Sequence, residues 1–580
     1  MVVLVLAGCS GIPDSGPVVA VDPREEPTVA SPGRVEPASP RSGASRDQVV
    51  RGFMDAMQAY PVSTDVARQF LSRDAAASWP PSKATVIYQS LDFGETPGGV
   101  VEMQVVEQAR LGAQGNYSPV IAGQQREPVQ WELVQEGGEW RIDNPPDELY
   151  ISTAYFEKYY RSYNLYFLDP SRKIAVGVPA YFPYGEQLAT SLVRALLDGP
   201  SPSTVGQVRT AIPSRAALDV PIPVKTDGVA EVQLIAPEEK LSEQQAELLS
   251  VQVVSTLRQV PGLLGVRIVL NEAPLDLGDA SDVQDVSSWA FYVPAANVVE
   301  RRLFALASGQ LVTIEGAFIA PVEGPVGQQP QDLRWVVVNQ STQQLLGVSR
   351  DGTRILTGPV GDTSGALSPV WVQAVNLGRP SDAGNATVVV DRTPDGSRLV
   401  VVDEVDDPGA KRVNLGSLAG QYVDALSVSP DGARFVAVAS NSRNPASPSR
   451  LLTGWLTRGR AGQITGVSGV LTLTLPGEQL VDVRDAGWIG ENRLAFIGRF
   501  AESPMEVYTV NTDGSDLSGG QVSGEPLPEG LDPVWLATAG LEEAPIYAAG
   551  RDGTLWLRAG DDDWQPVSGD ERLRSATFAS

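Results

Sequence analysis

The chain has 580 residues, 42% of them hydrophobic, enough apolar material for several cores at roughly 100–200 residues per domain. Its formal net charge of −26 argues against nucleic-acid binding, since phosphates require Lys and Arg. No histidine and a single cysteine remove Ser-His-Asp and Cys-His catalysis, His-based metal sites and intramolecular disulfides, so no cofactor or metal is expected.

Residues 1–9, MVVLVLAGC, carry a short apolar run into Leu6-Ala7-Gly8-Cys9, which resembles the lipobox of bacterial lipoproteins. The resemblance implies that Cys9 is the lipid attachment site, with diacylglyceryl transfer to its thiol, cleavage before it and acylation (palmitate) of the new amino terminus. Two or more chains are what stable membrane anchoring takes. No Lys or Arg precedes the apolar run, so the start reads as truncated. No later segment reaches the ~18–20 consecutive apolar residues of a membrane span. Residues 10–44 are rich in Pro, Ser and Gly without apolar period and read as a tether. Of the 44 basic residues six are Lys, a bias expected of a GC-rich genome.

A first domain is expected over 45–150. Ser45 and Gln48 fit a capping box, and Val49, Phe53, Met57 and Tyr60 follow at helical spacing. A second helix is expected at 64–71, then strands at 85–88, 100–107, 129–134 and 139–142, the last two joined at Gly137-Gly138. Helices followed by antiparallel strands resemble the NTF2-like α+β domains found behind lipid tethers.

A second domain is expected over 155–280. Strands at 165–168 and 174–179 precede a helix at 186–198 that Gly199-Pro200 stops. Asp227-Gly228 turns a hairpin between 222–224 and 229–235. Ser242 with Gln245 opens a helix burying Leu249, Val253, Leu257 and Val260, and 266–270 is a last strand. The segments YNLYFLD, ALLDGPSPS, TAIPS, DGVAEVQL and STLRQVPGLLGVRIVLN resemble the GerMN domain of spore-germination proteins and lipoproteins. In that domain such residues, Pro213 included, shape turns and carry no chemistry.

The third domain, 300–580, repeats. Asp-Gly recurs at 351, 395, 431, 513 and 552, at intervals of 44, 36, 82 and 39. The long interval reads as two repeats, with Gly490-Glu491-Asn492-Arg493 the diverged copy. Asp bonds its own backbone in such turns and Gly supplies the positive φ. A period of ~40–45 residues with short strands predicts a β-propeller of six or seven blades. Seven tryptophans, at 335, 371, 455, 488, 535, 556 and 564, either pack between blades or form a glycan-stacking surface. The turns resemble those of WD40-like and TolB-type propellers; the spaced Asp-box of glycosidase propellers is not met.

Taken together, lipobox, tether, α+β domain, GerMN domain and propeller resemble, in this order, the LpqB family of actinobacterial lipoproteins. The resemblance implies a non-enzymatic protein at the extracytoplasmic face of the cell membrane. It implies binding to the extracellular part of a sensor histidine kinase, MtrB of the MtrAB two-component system, in cell-envelope homeostasis and division. Two other classes stay open: an extracytoplasmic glycan or ligand receptor using the propeller face, and a hydrolase built on paired carboxylates.

Overall fold

The computed structural model describes residues 33–579, apart from 96–99, 122–126, 238–239, 279–280, 294–300, 317, 340–341, 362–364, 404–408, 443, 445–446, 476–479, 502, 516–523, 559–562 and 568–570. Cys9, the expected signal segment and residues 10–32 of the expected tether lie outside the described residues. The architecture mixes α and β, with many strands and few helices.

Residues 33–44 lie against the first domain. Val35 and Tyr60 exchange backbone hydrogen bonds of 2.9 and 3.1 Å, and the Ser42 hydroxyl and Gly43 amide both donate to the Glu139 carboxylate. Ser45 then caps the helix Arg46–Ala56, its hydroxyl accepting from the Gln48 amide while Gln48 reaches back to the Ser45 amide. The buried face of this helix sets Phe53 against Trp79 and Trp131, ring centroids 5.2 and 5.8 Å away. These three rings fill the space between the helices and a sheet built on the long antiparallel pair Ala84–Glu95 and Val101–Gly112.

Three details differ from the sequence reading. The helix expected at 64–71 is one turn, Asp65–Arg68, and a further helix, Arg73–Ser78, follows on a Ser72 cap. The strand expected at 129–134 is two: Val129–Trp131 joins the main sheet, while Leu133–Glu136 pairs with Glu139–Ile142 across Gly137-Gly138. Between them the Glu132 amide donates to the Asn144 side chain, outside either ladder. Two unforeseen strands complete the five-stranded sheet: Tyr117–Pro119, antiparallel to Val101–Gly112, and Leu149–Ser152, parallel to Ala84–Glu95.

In the central domain the strands Tyr160–Leu168 and Ala175–Pro183 form a separate hairpin. Val229–Ile235 and Gly265–Leu270 are parallel neighbours joined by the crossover helix Glu243–Leu257, the connection that parallel strands need. That helix and Leu188–Leu197 close one core, in which Leu192, Leu196, Leu249 and Leu257 are wholly buried. Asp227-Gly228 does turn the hairpin, with Gly228 at φ +75° and Val224 bridged antiparallel to Ala230, but 222–224 contributes that one bridge rather than a strand. Pro223 has no amide to donate and the Ile222 amide is taken by the Thr190 hydroxyl, while Ala217–Leu218 pairs with the far end of the partner strand.

The described residues between 303 and 578 form six four-stranded antiparallel sheets: 303–321 with Leu573–Phe578, then 333–371, 381–413, 422–472, 480–526 and 533–566. The carboxy-terminal strand completes the first sheet on its inner edge, beside Leu303–Ala307. The innermost strand of each sheet packs on that of the next, and the sixth on the first, so the ring closes. Six apolar clusters separate consecutive sheets. Central strands are therefore buried on both faces, and Arg434–Ser440 is buried at every position.

The central domain lies on the rim that carries the first-to-second and third-to-fourth turns of these sheets. Arg434 is the hub. Its guanidinium pairs with Asp431 and donates to the Gly177 carbonyl at 3.1 Å, the Glu491 carbonyl at 3.0 Å and the Asn492 side chain. Glu491 in turn accepts from Asn164 at 2.8 Å and Tyr166 at 2.9 Å. Burial pushes the Glu491 carboxyl up, and the Arg434 charge pulls it back. Gly177 is required here by close approach, because a Cβ would lie 2.4 Å from the Glu491 carboxylate. Tyr181, on the same strand, touches all three domains. Its ring packs on Tyr117 and Phe156, its amide donates to Gly115 at 2.8 Å, and its hydroxyl meets Ser515 on the ring.

Two outcomes follow from this seam. Arg434→Met removes a cation that is 8% exposed and strands the wholly buried Asp431 carboxylate. A loss of about 3–5 kcal/mol is expected, read from denaturant unfolding; a smaller loss than 1 kcal/mol would mean that the seam is not held there. The second concerns Asp513, which accepts the Ser515 amide while its Oδ2 is buried without a partner among the described residues. Burial pushes its carboxyl up to about 6, so the folded chain holds this proton more tightly than the unfolded chain. The group therefore favours folding most below pH ~4, and that contribution is lost as the pH rises through about 6. Asp513→Asn should remove this part of the pH dependence, raising the unfolding temperature relative to the native chain more at pH 7.5 than at pH 5. An equal shift at both would show that the carboxyl titrates normally.

Candidate ligand cavity

At the ring axis, between the sheets and the central domain, lies a cavity of about 720 Å³. Its roof is the turn joining the two strands of the central-domain hairpin. Asp169 builds that turn, its carboxylate accepting from the Ser171, Lys173 and Ile174 amides at 2.9 Å each. Lys173 projects from the turn and donates to the Ala461 carbonyl at 3.1 Å, fixing roof to ring.

On the ring side Arg379 crosses the axis. It leaves the entry to the third sheet, donates to the Leu536 carbonyl in the sixth at 2.8 Å and pairs with Asp485 in the fifth at 2.9 Å. Asp485 is 3% exposed and also accepts the Leu536 amide at 2.7 Å. Its burial pushes the carboxyl up, and Arg379 opposes that shift.

Arg301 and Arg458 also line the cavity. Arg458 is anchored through carbonyls, donating to Gly462 at 2.9 Å, Gly432 at 2.6 Å and Ala383 at 3.1 Å. Burial draws the ionisation of both guanidiniums downward, with Asp382 opposing it at each. Between these cations the wall is apolar: Leu426, Val428, Trp488 and Leu536 line it.

The tryptophan question resolves toward packing. Trp488, Trp535 and Trp564 are buried and the other four are half-buried. Trp335 and Trp535 meet edge to face at 6.3 Å, Trp455 packs on the central-domain core, and Trp371 carries Arg412 over its ring. No one of the seven rings lies open as a stacking platform.

The Asp-Gly turns form as chemistry requires, but not in one register. Asp351, Asp431, Asp513 and Asp552 each accept the amide two residues on, with the following glycines at φ +70° to +89°. At Asp395 the glycine sits at +127°. Asp351, Asp395 and Asp552 follow second strands, Asp431 follows a first strand and Asp513 a third. The interval of 82 thus joins different turns of adjacent sheets, rather than marking a lost copy. Glu491-Asn492 does occupy the turn equivalent to Asp431-Gly432, where it meets the central domain.

Of the acids near the axis, Asp403 pairs with Lys411 at 2.6 Å, Asp431 with Arg434 and Asp485 with Arg379. None of these pairs is two carboxylates sharing a site. Among the described residues no three His, Cys, Asp or Glu side chains group as metal ligands. Of the cavity residues, sequence reasoning singled out Trp488 and the Asp431-Gly432 turn, but not Lys173, Arg301, Arg379, Arg458 or the nearby Asp485. The available signal was a charge inside an apolar strand, Asp485 within VDVRDAGW, and an arginine before a proline, Arg379-Pro380.

Comparison with known proteins covers most of the chain. Residues 39–157 match the family described as "Lipoprotein LpqB, N-terminal domain", 164–276 match "Sporulation and spore germination", and 309–575 match "Lipoprotein LpqB beta-propeller domain". The chain is 26% identical over 535 residues to a protein of Cutibacterium acnes named Lipoprotein LpqB, covering 88% of each. It is 26% identical over 612 residues to one of the same name from Thermobifida fusca, covering 96% of each. Among solved structures, the first GerMN domain of the sporulation protein GerM from Bacillus subtilis is similar at 19% identity and a TM-score of 0.19, over 22% of this chain and 97% of that one. Domain matches in chain order, carried through by near full-length relatives of one name, place this chain in the LpqB family of lipoproteins.

Proposed function

We propose that the chain is held by lipid on Cys9 at the extracytoplasmic face of the cell membrane. There it binds the extracellular part of a sensor histidine kinase, MtrB of the MtrAB system, and modulates it in envelope homeostasis and division. We read the first domain as NTF2-like and the six sheets as six propeller blades. Among the described residues no helix is long and apolar enough to cross a membrane.

The observation that carries a binding role is how the domains join. One rim of the ring is occupied by the central domain, and among the described residues the hydrogen bonds from that domain to the ring fall on this rim or on the outer strand Ile464–Thr472. The opposite rim bears the turns at Asp351, Asp395 and Asp552 and exposed ion pairs such as Asp332–Arg350 and Asp552–Arg572. A broad rigid surface with charge on its edge suits protein docking, where such charges tune association rate and salt response more than affinity. The reading thus puts the contact on the uncovered rim. A receptor role for the cavity is a second reading, and the chamber at the axis favours it.

Two experiments test the proposal. In cells making the full-length precursor, Cys9→Ala should abolish lipid labelling and release the protein from the membrane fraction; retention on membranes would refute lipid anchoring. The full chain should capture the purified extracellular region of the kinase, less so at moderate than at low salt. Asp395→Lys with Arg350→Glu, both away from the seam, should weaken capture about fivefold or more. Unchanged capture would move the contact off this rim, and no capture by the native chain would overturn the kinase reading.

A further inference from the structure

The cavity holds more positive charge than its own acids neutralise. Lys173, Arg301, Arg379 and Arg458 face it, in a chain whose net charge is −26. Arg379 is matched by Asp485, and the lining acids Asp403 and Asp431 are matched by Lys411 and Arg434. Lys173, Arg301 and Arg458 then remain against Asp382 and Asp169, and Asp169 is spent on the amides of its own turn. Arg458 is fixed by carbonyls and its Nε is buried away from the open space, so it brings charge to the cavity from a set position. Volume agrees, since about 720 Å³ falls in the range of roughly 300–1,000 Å³ that small-molecule sites occupy. The apolar wall at Leu426, Val428, Trp488 and Leu536 asks for a ligand that is not charge alone.

We propose that this chamber binds a small anionic amphiphile, a phosphate monoester or carboxylate with a short apolar body. Its acid group is held by Arg301, Arg458 and Lys173, and its body lies against Trp488 and the neighbouring aliphatic wall. Because Lys173 stands on the central-domain turn while the arginines stand on the ring, the site exists only where the two domains meet. The inference does not depend on the kinase reading.

The full chain is titrated with hexyl phosphate, inorganic phosphate and hexan-1-ol, read by calorimetry and by tryptophan fluorescence. Hexyl phosphate should bind at one site per chain, at least tenfold tighter than inorganic phosphate, and hexanol should not saturate. Arg301→Gln should weaken hexyl phosphate about tenfold, the worth of one lost charge-assisted hydrogen bond, and Lys173→Gln should weaken it measurably. Arg572→Gln, on the far rim, should leave it unchanged. Thermal unfolding of each variant separates lost binding from lost fold, and Lys173→Gln, on an exposed side chain, keeps the test alive if Arg301→Gln unfolds. Absence of saturable binding, equal binding of hexanol or of inorganic phosphate, or native affinity in both folded variants would overturn the proposal.

Discussion

The strand Ala175–Pro183 is where all three domains meet. It offers a carbonyl at Gly177 to Arg434 and a hydroxyl at Tyr181 to Ser515. A buried ion pair such as Arg434–Asp431 is poor evidence of net stability, because desolvating two charges offsets most of their attraction. Its geometry explains it better as a specifier. Only a planar guanidinium can satisfy Asp431, the Gly177 and Glu491 carbonyls and the Asn492 side chain at once. A central domain slipped by one residue along that strand would leave these groups buried and unpaired. The pair therefore selects one docking geometry and penalises its neighbours.

That constraint also explains what the sequence showed and what it hid. Local rules were legible. The capping boxes at Ser45 and Ser242, the Gly137-Gly138 hairpin and the buried face of Glu243–Leu257 rest on residues a few positions apart, and all are found. Asp-Gly turns were legible as turns, since the Asp carboxylate and the glycine φ act within three residues. Their register was not, because nothing local distinguishes a first-to-second turn from a second-to-third. Six sheets emerge only when strands far apart pair, most of all Leu303–Ala307 with Leu573–Phe578. The cavity was hidden for the same reason: Lys173, Arg301, Arg379 and Arg458 come from four distant segments, and each alone reads as a solvated surface charge.

The tryptophans show how composition misleads in a ring of this kind. The rings sit on first, third and fourth strands, where Trp335, Trp535 and Trp564 fill the space between sheets and Trp455 packs on the central domain, and the half-buried ring edges give no platform. Recurrence thus measures packing geometry here, not recognition. The acids behave alike. Asp351 and Asp552 are held well below the usual carboxylate range by hydroxyl and amide donors within their own turns, so their charge is fixed by backbone construction.

One hairpin links the structural and the chemical arguments. Its strand carries the seam, and its turn carries Lys173 into the chamber. Asp169 ties the two together, ordering the turn through three amides while adding a negative charge near Arg458. Any displacement of the central domain therefore changes the distance between Lys173 and the ring arginines, and with it the field inside the chamber. Conversely, an anion bridging Lys173 and Arg458 would favour the docked arrangement, because a ligand shifts an equilibrium by its difference in affinity for the two states. Seam and chamber are in this sense one device: the interactions that fix the domains also define the charge that the chamber presents.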